Sequence, residues 1–385
     1  MIEPFPLIDV SGAPFERGFQ HGNLAEKRIR AGVAHYMAQL KKLSLTPNEV
    51  KQLVEEYLPV MEAFDANHVK EMRGIAQGSG LPFEDIVLLN ARTEILKLGE
   101  RPHLRKLLTE QGADGCTGLM VLPEASERRT LIHALNWDWK RDCVDSSIVL
   151  RIRNDDGPDI LTFTEAGTLA RAGLNAAGVA ITGNYLECDR DYSQVGVPIS
   201  LVRRKVLENE HLALAMHAVC TTQKSASSNM MVSHAAGIGI NFECAPNEAF
   251  QILPERGLMV HANHWINVPA RIKLLEKGIA AMPDTLYRDT RVRMLLEPKV
   301  GAITVDDVKA ALFDELLSPW SVCRPPRLNT AGVMTATVAM VVMQPEAGIM
   351  EVAPLPALNR HFTTYRLGAQ VDVGEKKSHA DIRVQ

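Results

Sequence analysis

The sequence predicts an α+β protein: a four-layer αββα sandwich in which two antiparallel sheets pack face to face with helices outside. Three observations predict this fold. The first hundred residues have the apolar spacing of helices, and the residues after Cys116 read as short strands separated by turns. Helices then return twice among the strands without a strict βαβ alternation, which argues against a doubly wound parallel sheet.

The N-terminal part predicts three helices. A helix over 11–43 begins at a Ser-Gly pair before Pro14, and a second helix over 47–78 opens at a Thr-Pro pair and closes at a Gly-Ser-Gly run. A third, shorter helix covers 82–98. Residues 99–113 are basic and contain glycine, so we expect an exposed linker there.

Beyond Cys116, runs of β-branched and apolar residues predict strands, and Pro, Asp and Gly turn signals separate them. The predicted strands are 117–122, 130–137, 147–153, 160–164, 178–183, 229–234, 237–243 and 249–253, followed by a hairpin of 335–342 and 349–352. Helices are predicted over 198–223, 269–283, 289–297 and 304–316. The tail from Lys376 is polar, and we expect it to be loose.

Length and composition fit a globular protein with a large core. The chain has 385 residues, 46% hydrophobic and 23% charged, which allows two domains but also fits one integrated α+β unit. We expect a single unit made of a helical leader, 1–115, and a catalytic body, 116–385. The net charge of -4 gives no sign of nucleic acid or an anionic membrane as partner. The sequence leaves the oligomeric state open, and a homo-oligomer is possible.

The location predicted from the sequence is the cytoplasm. The first residues lack the basic segment and apolar run of a signal peptide. The longest apolar run, 332–343, is too short to span a bilayer. The six cysteines are scattered without a Cys-x-x-Cys pair, which favours reduced thiols.

The Gly115-Cys116 pair predicts self-cleavage. Free cysteines are most often small buried hydrophobes, but this one follows a glycine at the boundary between the helical leader and the strands. A thiol in this position can attack the preceding carbonyl, and Gly115 tolerates strained backbone angles and leaves that carbonyl open. Cleavage gives Cys116 an α-amino group with a pKa of about 8, which can serve as the base for its own thiol.

Three polar residues are candidate partners of Cys116. The side-chain amide of Asn263 suits an oxyanion donor, although a turn or capping role is the alternative. Asp138 ends a predicted strand, where its carboxylate can hold the new α-ammonium group or simply be a solvated turn residue. Asn184 also ends a strand, with a turn position as its alternative.

The sequence gives little support for a metal or a cofactor. His261 and His264 form a close pair, but no further His, Cys or Asp cluster has ligand spacing. Gly237-Ile238-Gly239 lacks the third glycine and the helix of a dinucleotide site. We therefore predict neither a bound metal nor a cofactor.

Taken together, the motifs resemble the acyl-coenzyme A:6-aminopenicillanic acid acyltransferase (isopenicillin N acyltransferase) family of cysteine N-terminal nucleophile (Ntn) hydrolases. The resemblance covers nearly the whole chain, and its most specific part is the shared order of motifs around the Gly-Cys junction. The matching runs are 12–18 with 21–22, 73–76, 89–94, 114–117, 136–138, 164–167, 178–180, 196–198 and 261–264.

The resemblance implies an Ntn-hydrolase αββα fold, cleavage between Gly115 and Cys116, and two chains that stay together, so that the cleaved leader becomes a partner of the body. It makes Cys116 the nucleophile, Asp138 the partner of its amine and Asn263 an oxyanion donor. The wider bile-salt-hydrolase-like group is similar around Asn184, whose backbone N–H would be the second oxyanion donor.

The chain departs from the family in the expected acyl or amine pocket. Cys244 stands where the fungal enzyme has a serine, and the fungal Ser-Arg pair before the final hairpin has no clear match at 330–333. Arg324 does match the family. Cys244 and Arg324 are therefore candidate substrate-binding residues, and the departures argue against a penicillin substrate.

The sequence thus predicts a self-processed N-terminal-cysteine amidohydrolase or acyltransferase that forms an acyl-enzyme on Cys116. We favour hydrolysis of a small N-acyl or β-alanyl-type amide over transfer from an acyl-coenzyme A thioester. An uncleaved homologue that binds a ligand without turnover is the alternative from another class.

Overall fold

The computed structural model describes residues 2–42, 45–98, 115–330 and 332–368. The predicted linker at 99–113 and the predicted tail from Lys376 lie outside these residues. The predicted sandwich is confirmed: the described strands form one eight-stranded and one seven-stranded sheet.

The strands are numbered β1 to β15 in chain order. They are Leu7–Ser11, Cys116–Val121, Ile132–Lys140, Ser147–Arg153, Ile160–Glu165, Ala172–Asn175, Val179–Tyr185, Ser228–His234, Ile238–Ala245, Glu248–Ile252, Leu258–His261, Arg327–Leu328, Met334–Gln344, Ile349–Pro354 and Thr363–Arg366.

The α-helices of the described residues are numbered α1 to α11. They are Pro14–Leu24, Glu26–Lys42, Pro47–Phe64, Ala66–Ser79, Phe83–Asn90, Arg92–Leu98, Ile199–Leu207, Leu212–Thr221, Val268–Lys273, Thr285–Leu296 and Val305–Leu312.

The eight-stranded sheet has the order β1-β4-β5-β6-β7-β8-β9-β10, and the seven-stranded sheet has the order β11-β2-β3-β13-β14-β15, with β12 beside β13. Every neighbouring pair is antiparallel except β1 with β4, which run parallel. β2 and β3 therefore lie inside the seven-stranded sheet, and Cys116 begins an interior strand.

The two sheets pack against each other through β2 and β3 on one side and β7 on the other. Trp137 of β3 meets Phe163 of β5 across this interface, with ring centroids 5.6 Å apart in an edge-on arrangement. α7 and α8 cover the outer face of the eight-stranded sheet, whereas α10 and α11 cover the seven-stranded sheet. Apolar side chains from both sheets fill the space between them.

A buried histidine links the sheets at the same interface. His133 of β3 lies 2.7 Å from Ser233 Oγ and 2.8 Å from Thr182 Oγ1, both on the opposite sheet. Burial lowers the pKa of His133 to about 3, so the ring is neutral inside the fold.

Several predicted helices are split in the structure. The predicted helix over 47–78 breaks at Asp65, whose backbone is extended and whose carboxylate accepts a hydrogen bond from Asn67 N at 2.9 Å. Asp65 therefore caps a new helix in the middle of a continuous apolar pattern. The predicted helices over 11–43, 82–98 and 198–223 are likewise each two helices.

Other differences concern short elements. β1, β6, β11, β12 and β15 were not predicted, since each has at most five residues and gains its stability from long-range pairing. The helix predicted over 269–283 ends at Lys273, and the one predicted over 289–297 already begins at Thr285. Among the described helices, none is both long and apolar enough to cross a membrane.

Candidate active site

Neighbouring strands of the seven-stranded sheet bring three of the predicted residues together. Cys116 opens β2 and pairs in register with Trp137 of β3, the residue before Asp138. β11 lies on the other side of β2 and leads directly to Asn263, two residues beyond its end. The Gly-Cys junction therefore lies at one end of this sheet, with Asp138 and Asn263 on either side.

Asn263 holds the peptide nitrogen of the predicted nucleophile. The Cys116 N–H donates to Asn263 Oδ1 at 2.7 Å, while Asn263 Nδ2 donates to the Tyr185 carbonyl at 2.8 Å. The backbone N–H of Asn263 also donates to Thr285 Oγ1 at 2.7 Å, which fixes the residue on both sides. An amide nitrogen carries two hydrogens, and the described residues provide an acceptor for one hydrogen of Asn263 Nδ2.

Arg288 of α10 is a site residue that the sequence did not reveal. Its guanidinium is fully buried and donates to the Cys116 carbonyl at 2.8 Å, to Thr117 Oγ1 at 2.9 Å and to Asn263 Oδ1 at 2.9 Å. Its Nε donates to Asp284 at 2.8 Å. Arg288 therefore ties both sides of the Cys116 peptide to one helix, but nothing in its local sequence separates it from other helical arginines.

Gly115 lies where a side chain would not fit. A Cβ atom at this position would be 2.4 Å from Arg288 Nη2 and 2.9 Å from Asn263 Oδ1. Heavy atoms do not approach so closely without rearrangement. A side chain at position 115 would therefore displace the Arg288 guanidinium or the Asn263 amide from the positions they have here.

Asp138 is buried within a charged network. Thr337 of β13 donates to Asp138 Oδ1 at 2.6 Å, and Arg324 Nε lies 3.3 Å from Oδ2. Arg324 also pairs with Asp284, which in turn binds Arg288. A register shift in β13 between Thr337 and Ala339 accompanies this arrangement. Burial nevertheless raises the pKa of Asp138, although the positive charge of Arg324 acts to lower that pKa.

The thiol of Cys116 is nearly inaccessible in the uncut chain. Burial raises its pKa, and the nearby Asp138 carboxylate raises it further. The positive charges of Arg171 and Arg288 and a hydrogen bond from the Asp138 backbone act in the opposite direction. The Gly115-Cys116 peptide bond is intact in this structure, so the nitrogen of Cys116 is an amide and not a basic amine.

Asn184 lies beside β2 from the opposite sheet. Its Nδ2 donates to the carbonyls of His261 and Ala262 at 2.7 and 2.8 Å, which joins β7 to the loop that carries Asn263. A Cβ on Gly118 would be 3.1 Å from Asn184 Oδ1. The structure therefore brings Asn184 next to the strand that begins at Cys116, and its side chain serves the packing of that loop.

Glu243 supports the same loop and was not singled out from the sequence. Its carboxylate lies 2.8 Å from His261 Nε2 and accepts the backbone N–H groups of Ile266 and Asn267 at 2.7 and 3.1 Å. The weak metal signal at His261 and His264 has another explanation, because His264 Nδ1 lies 3.0 Å from Thr285 Oγ1. Both histidines thus hold the Asn263 loop.

The two predicted substrate-binding residues lie in different surroundings. Arg324 contacts the Asp138 network described above. Cys244 of β9 is buried in the main core, and burial raises its pKa to about 11, with Lys224 and Cys220 as its ionisable neighbours. The structure does not bring Cys244 together with the groups around Cys116.

One group among the described residues has ligand atoms close enough for a metal ion: Asp65, His68 and Glu208, at the junction of α3 and α4. Its oxygens already have cationic partners, since Lys205 lies 2.7 Å from Asp65 and Arg204 lies 2.9 Å from Glu208. Salt bridges account for this cluster without an ion.

Comparisons with known proteins show the family of this chain. The sequence model of the family described as acyl-coenzyme A:6-aminopenicillanic acid acyl-transferase matches residues 125–353. The "acyl-coenzyme A:6-aminopenicillanic-acid-acyltransferase 40 kDa form" of Emericella nidulans is 28% identical over 326 residues, which is 82% of this chain and 84% of that protein. An uncharacterized protein of Archaeoglobus fulgidus is 21% identical and matches 81% of this chain and 58% of its own length.

Solved structures with similar folds include a variant of the conjugated bile acid hydrolase from Clostridium perfringens, with a TM-score of 0.47 and 12% identity over 70% of this chain and 99% of that one. Penicillin V acylase from Agrobacterium tumefaciens gives a TM-score of 0.42 and 12% identity over 62% of this chain and 83% of that one. The family match spans more than half of the sequence. This chain belongs to the acyl-coenzyme A:6-aminopenicillanic acid acyl-transferase family.

Proposed function

We propose that the chain cleaves itself between Gly115 and Cys116 and then acts as an N-terminal-cysteine amidohydrolase on a small N-acyl amide. The observation that carries this proposal is the contact of Asn263 Oδ1 with the Cys116 nitrogen, at 2.7 Å. It supports a site organised around the nitrogen that cleavage would turn into a free amine.

Self-cleavage begins at the intact peptide. Cys116 Sγ forms a bond to the Gly115 carbonyl carbon, the C–N bond breaks, and the thiol proton passes to the departing nitrogen. The resulting thioester is then hydrolysed by water, which leaves a carboxylate on Gly115 and a free thiol and amine on Cys116. Asn263 would hold the nitrogen of Cys116 and Arg288 its carbonyl during this step.

Amide hydrolysis reuses the same atoms. The α-amino group of Cys116 takes the thiol proton, and the thiolate attacks the substrate carbonyl to form a tetrahedral oxyanion. The free Nδ2 hydrogen of Asn263 and the backbone N–H of Asn184 are the proposed oxyanion donors. The substrate amine leaves with the proton, and water releases the acyl group. Asp138, with Arg324 beside it, would hold the α-amino group in position.

Transfer to an amine instead of water is the second candidate, and membership in an acyltransferase family favours it. The sequence departures at Cys244 and at 330–333 are our reason for preferring hydrolysis. The substrate-binding role of Cys244 remains a prediction, because Cys244 lies in the main hydrophobic core. The non-catalytic alternative is an uncleaved protein that binds a ligand without turnover.

Activity measurements separate these candidates. Purified protein is first checked for cleavage and then incubated with N-acyl amides, or with an acyl-coenzyme A in the presence and absence of an amine acceptor. Hydrolysis predicts release of the amine without any acceptor, whereas transfer predicts product only when acceptor is supplied. Cys116→Ala should abolish both reactions, and Cys220→Ala, at an exposed cysteine, is the matched control. Activity that survives in Cys116→Ala contradicts the proposal.

A further inference from the structure

Two arginines, a buried Arg203 and a half-buried Arg171, lie near Cys116 in addition to Arg288 and Arg324. Arg171 immediately precedes β6, and Arg203 lies on α7. The Arg171 guanidinium stacks over the Trp137 ring at 4.2 Å, and Trp137 is the register partner of Cys116. Both guanidinium groups are close enough to the Cys116 thiol to interact with its charge.

Arg203 reaches this position because β7 has a glycine there. Gly183 lies two residues beyond Ile181, which is paired with Gly173 near the start of β6. A Cβ on Gly183 would be 2.6 Å from Arg203 Nη2 and 3.0 Å from its Nε. The guanidinium therefore occupies the space that a side chain of β7 would fill, next to Asn184.

The arginines outnumber the acids around them. Among the described residues, the carboxylates that interact most strongly with Arg92, Arg171 and Arg203 are Glu94 and Glu165. Glu165 forms a salt bridge with Arg92 and accepts a hydrogen bond from the Tyr36 hydroxyl. Arg171 Nη2 lies farther off, 3.8 Å from Glu165 Oε2. Glu94 accepts the N–H of Ile199 at 2.9 Å, and burial raises its pKa.

Arg203 is 8% exposed, and its buried Nε has no hydrogen-bond partner among the described residues. The Nε of Arg171 is buried and unpartnered in the same way within that part of the chain. Burial and the charge of Arg171 lower the pKa of Arg203 to about 9. Leaving buried charged donors unpaired is costly, so this arrangement is explained by an anion that completes it.

We propose that Arg203 and Arg171 form an anion subsite beside Cys116, which selects substrates that carry a carboxylate close to the scissile amide. The inference rests on the proposed function, since Cys116 is the reacting group. A planar carboxylate can accept paired hydrogen bonds from a guanidinium. The carboxylate can belong either to the leaving amine, as in an N-acyl amino acid, or to the acyl chain, as in a dicarboxylic acid monoamide.

Alkylation of the thiol tests the subsite without requiring turnover. Iodoacetate and iodoacetamide react with the same thiolate and differ in charge, so the ratio of their rates reports anion binding. A general effect of the arginines on the thiol pKa changes both rates equally and leaves the ratio unchanged. Cys220, which is exposed, gives the reference ratio in the same molecule. Peptide mass spectrometry follows the two cysteines separately.

We expect the iodoacetate-to-iodoacetamide ratio at Cys116 to exceed that at Cys220 by about tenfold, the effect of one charge-assisted hydrogen bond of about 1.4 kcal/mol. Arg203→Met should bring the ratio close to that of Cys220, and Arg203→Lys should keep part of the excess. Arg73→Met, at an exposed arginine, is the matched control and should change nothing. An equal ratio at the two cysteines, or a Cys116 that neither reagent reaches in the folded protein, overturns the proposal.

Substrate pairs then locate the carboxylate. N-acetylglycine is compared with N-acetylglycinamide for a carboxylate on the amine, and N-methylsuccinamic acid with N-methylbutanamide for one on the acyl chain. We expect the acidic member of one pair to have a kcat/KM at least about tenfold higher, and Arg203→Met to remove that difference. Absence of all turnover contradicts the proposed amidase, while the alkylation ratio still decides whether the subsite exists. Turnover without preference for either acid contradicts the subsite.

Discussion

Gly115→Ala is the substitution whose effect on self-cleavage follows most directly from the geometry. The added Cβ would lie 2.4 Å from Arg288 Nη2, and carbon and nitrogen need about 1 Å more than that. The guanidinium makes hydrogen bonds of 2.8 Å to the Cys116 carbonyl and 2.9 Å to Asn263 Oδ1. A retreat of about 1 Å takes both bonds beyond hydrogen-bonding distance.

The size of the effect follows from those two contacts. Hydrogen bonds from a charged donor contribute about 1.5–3 kcal/mol each, so losing both costs at least about 3 kcal/mol. If the contacts hold the peptide in the cleavage transition state, the rate falls on the order of 100-fold. We therefore expect Gly115→Ala to accumulate as the uncut chain under conditions in which the wild type is processed.

The assay follows the uncut and cut chains by intact mass after expression and during incubation. Gly157→Ala is the control, since Gly157 lies in an exposed turn and its added Cβ would have its nearest neighbour at 3.9 Å. Circular dichroism confirms that both variants are folded. Processing of Gly115→Ala at the wild-type rate would refute the reasoning, because the Arg288 contact would then not constrain the junction.

Three further predictions concern neighbouring residues. Asn263→Ala should lower kcat of the processed fraction about 100-fold, measured by amine release, because one oxyanion donor is lost; an unchanged kcat contradicts that role. Glu243→Gln should lower the free energy of unfolding, measured in urea, by about 2 kcal/mol, because the buried carboxylate holds His261 and two backbone N–H groups. A variant as stable as the wild type would contradict this prediction. The pKa of His133 is lowered from 6.5 to about 3 in the folded protein, so below pH 6.5 the unfolded chain takes up a proton that the folded chain does not. The protein should therefore lose about 2 kcal/mol of stability between pH 6.5 and pH 5 through this residue. Its replacement by Gln should reduce that loss, whereas exposed His217→Gln should not.

The sequence allowed the layer order of the fold to be predicted because local signals are strong there. Long amphipathic helices and short strands with turn residues between them are features of neighbouring residues. The breaks within the predicted helices and the short strands were harder to predict. Asp65 interrupts an apolar pattern that continues on both sides, and β1 forms only because β4, more than a hundred residues later, lies beside it. Such pairings depend on tertiary contacts that no local pattern contains.

The candidate site likewise contains residues that local sequence predicts and residues that depend on tertiary contacts. Cys116 was a candidate because it follows glycine where predicted helices give way to predicted strands, and Asn263 because its amide suits an oxyanion donor. Asp138 was expected just after a strand, but β3 continues through it to Lys140. Arg288 gave no signal, since its role depends on α10 packing against the start of β2. The lack of a hydrogen-bond partner for Arg203 Nε among the described residues also could not be predicted from the sequence, because it depends on how the fold packs around α7.

Mass spectrometry of the purified protein, combined with N-terminal sequencing of the fragments, tests the central claim most directly. The account predicts two chains that copurify, one ending at Gly115 and the other beginning with Cys116, and a Cys116→Ala protein that stays whole and inactive. A single uncut chain of 42.4 kDa that hydrolyses amides equally well with and without the Cys116 thiol would contradict it.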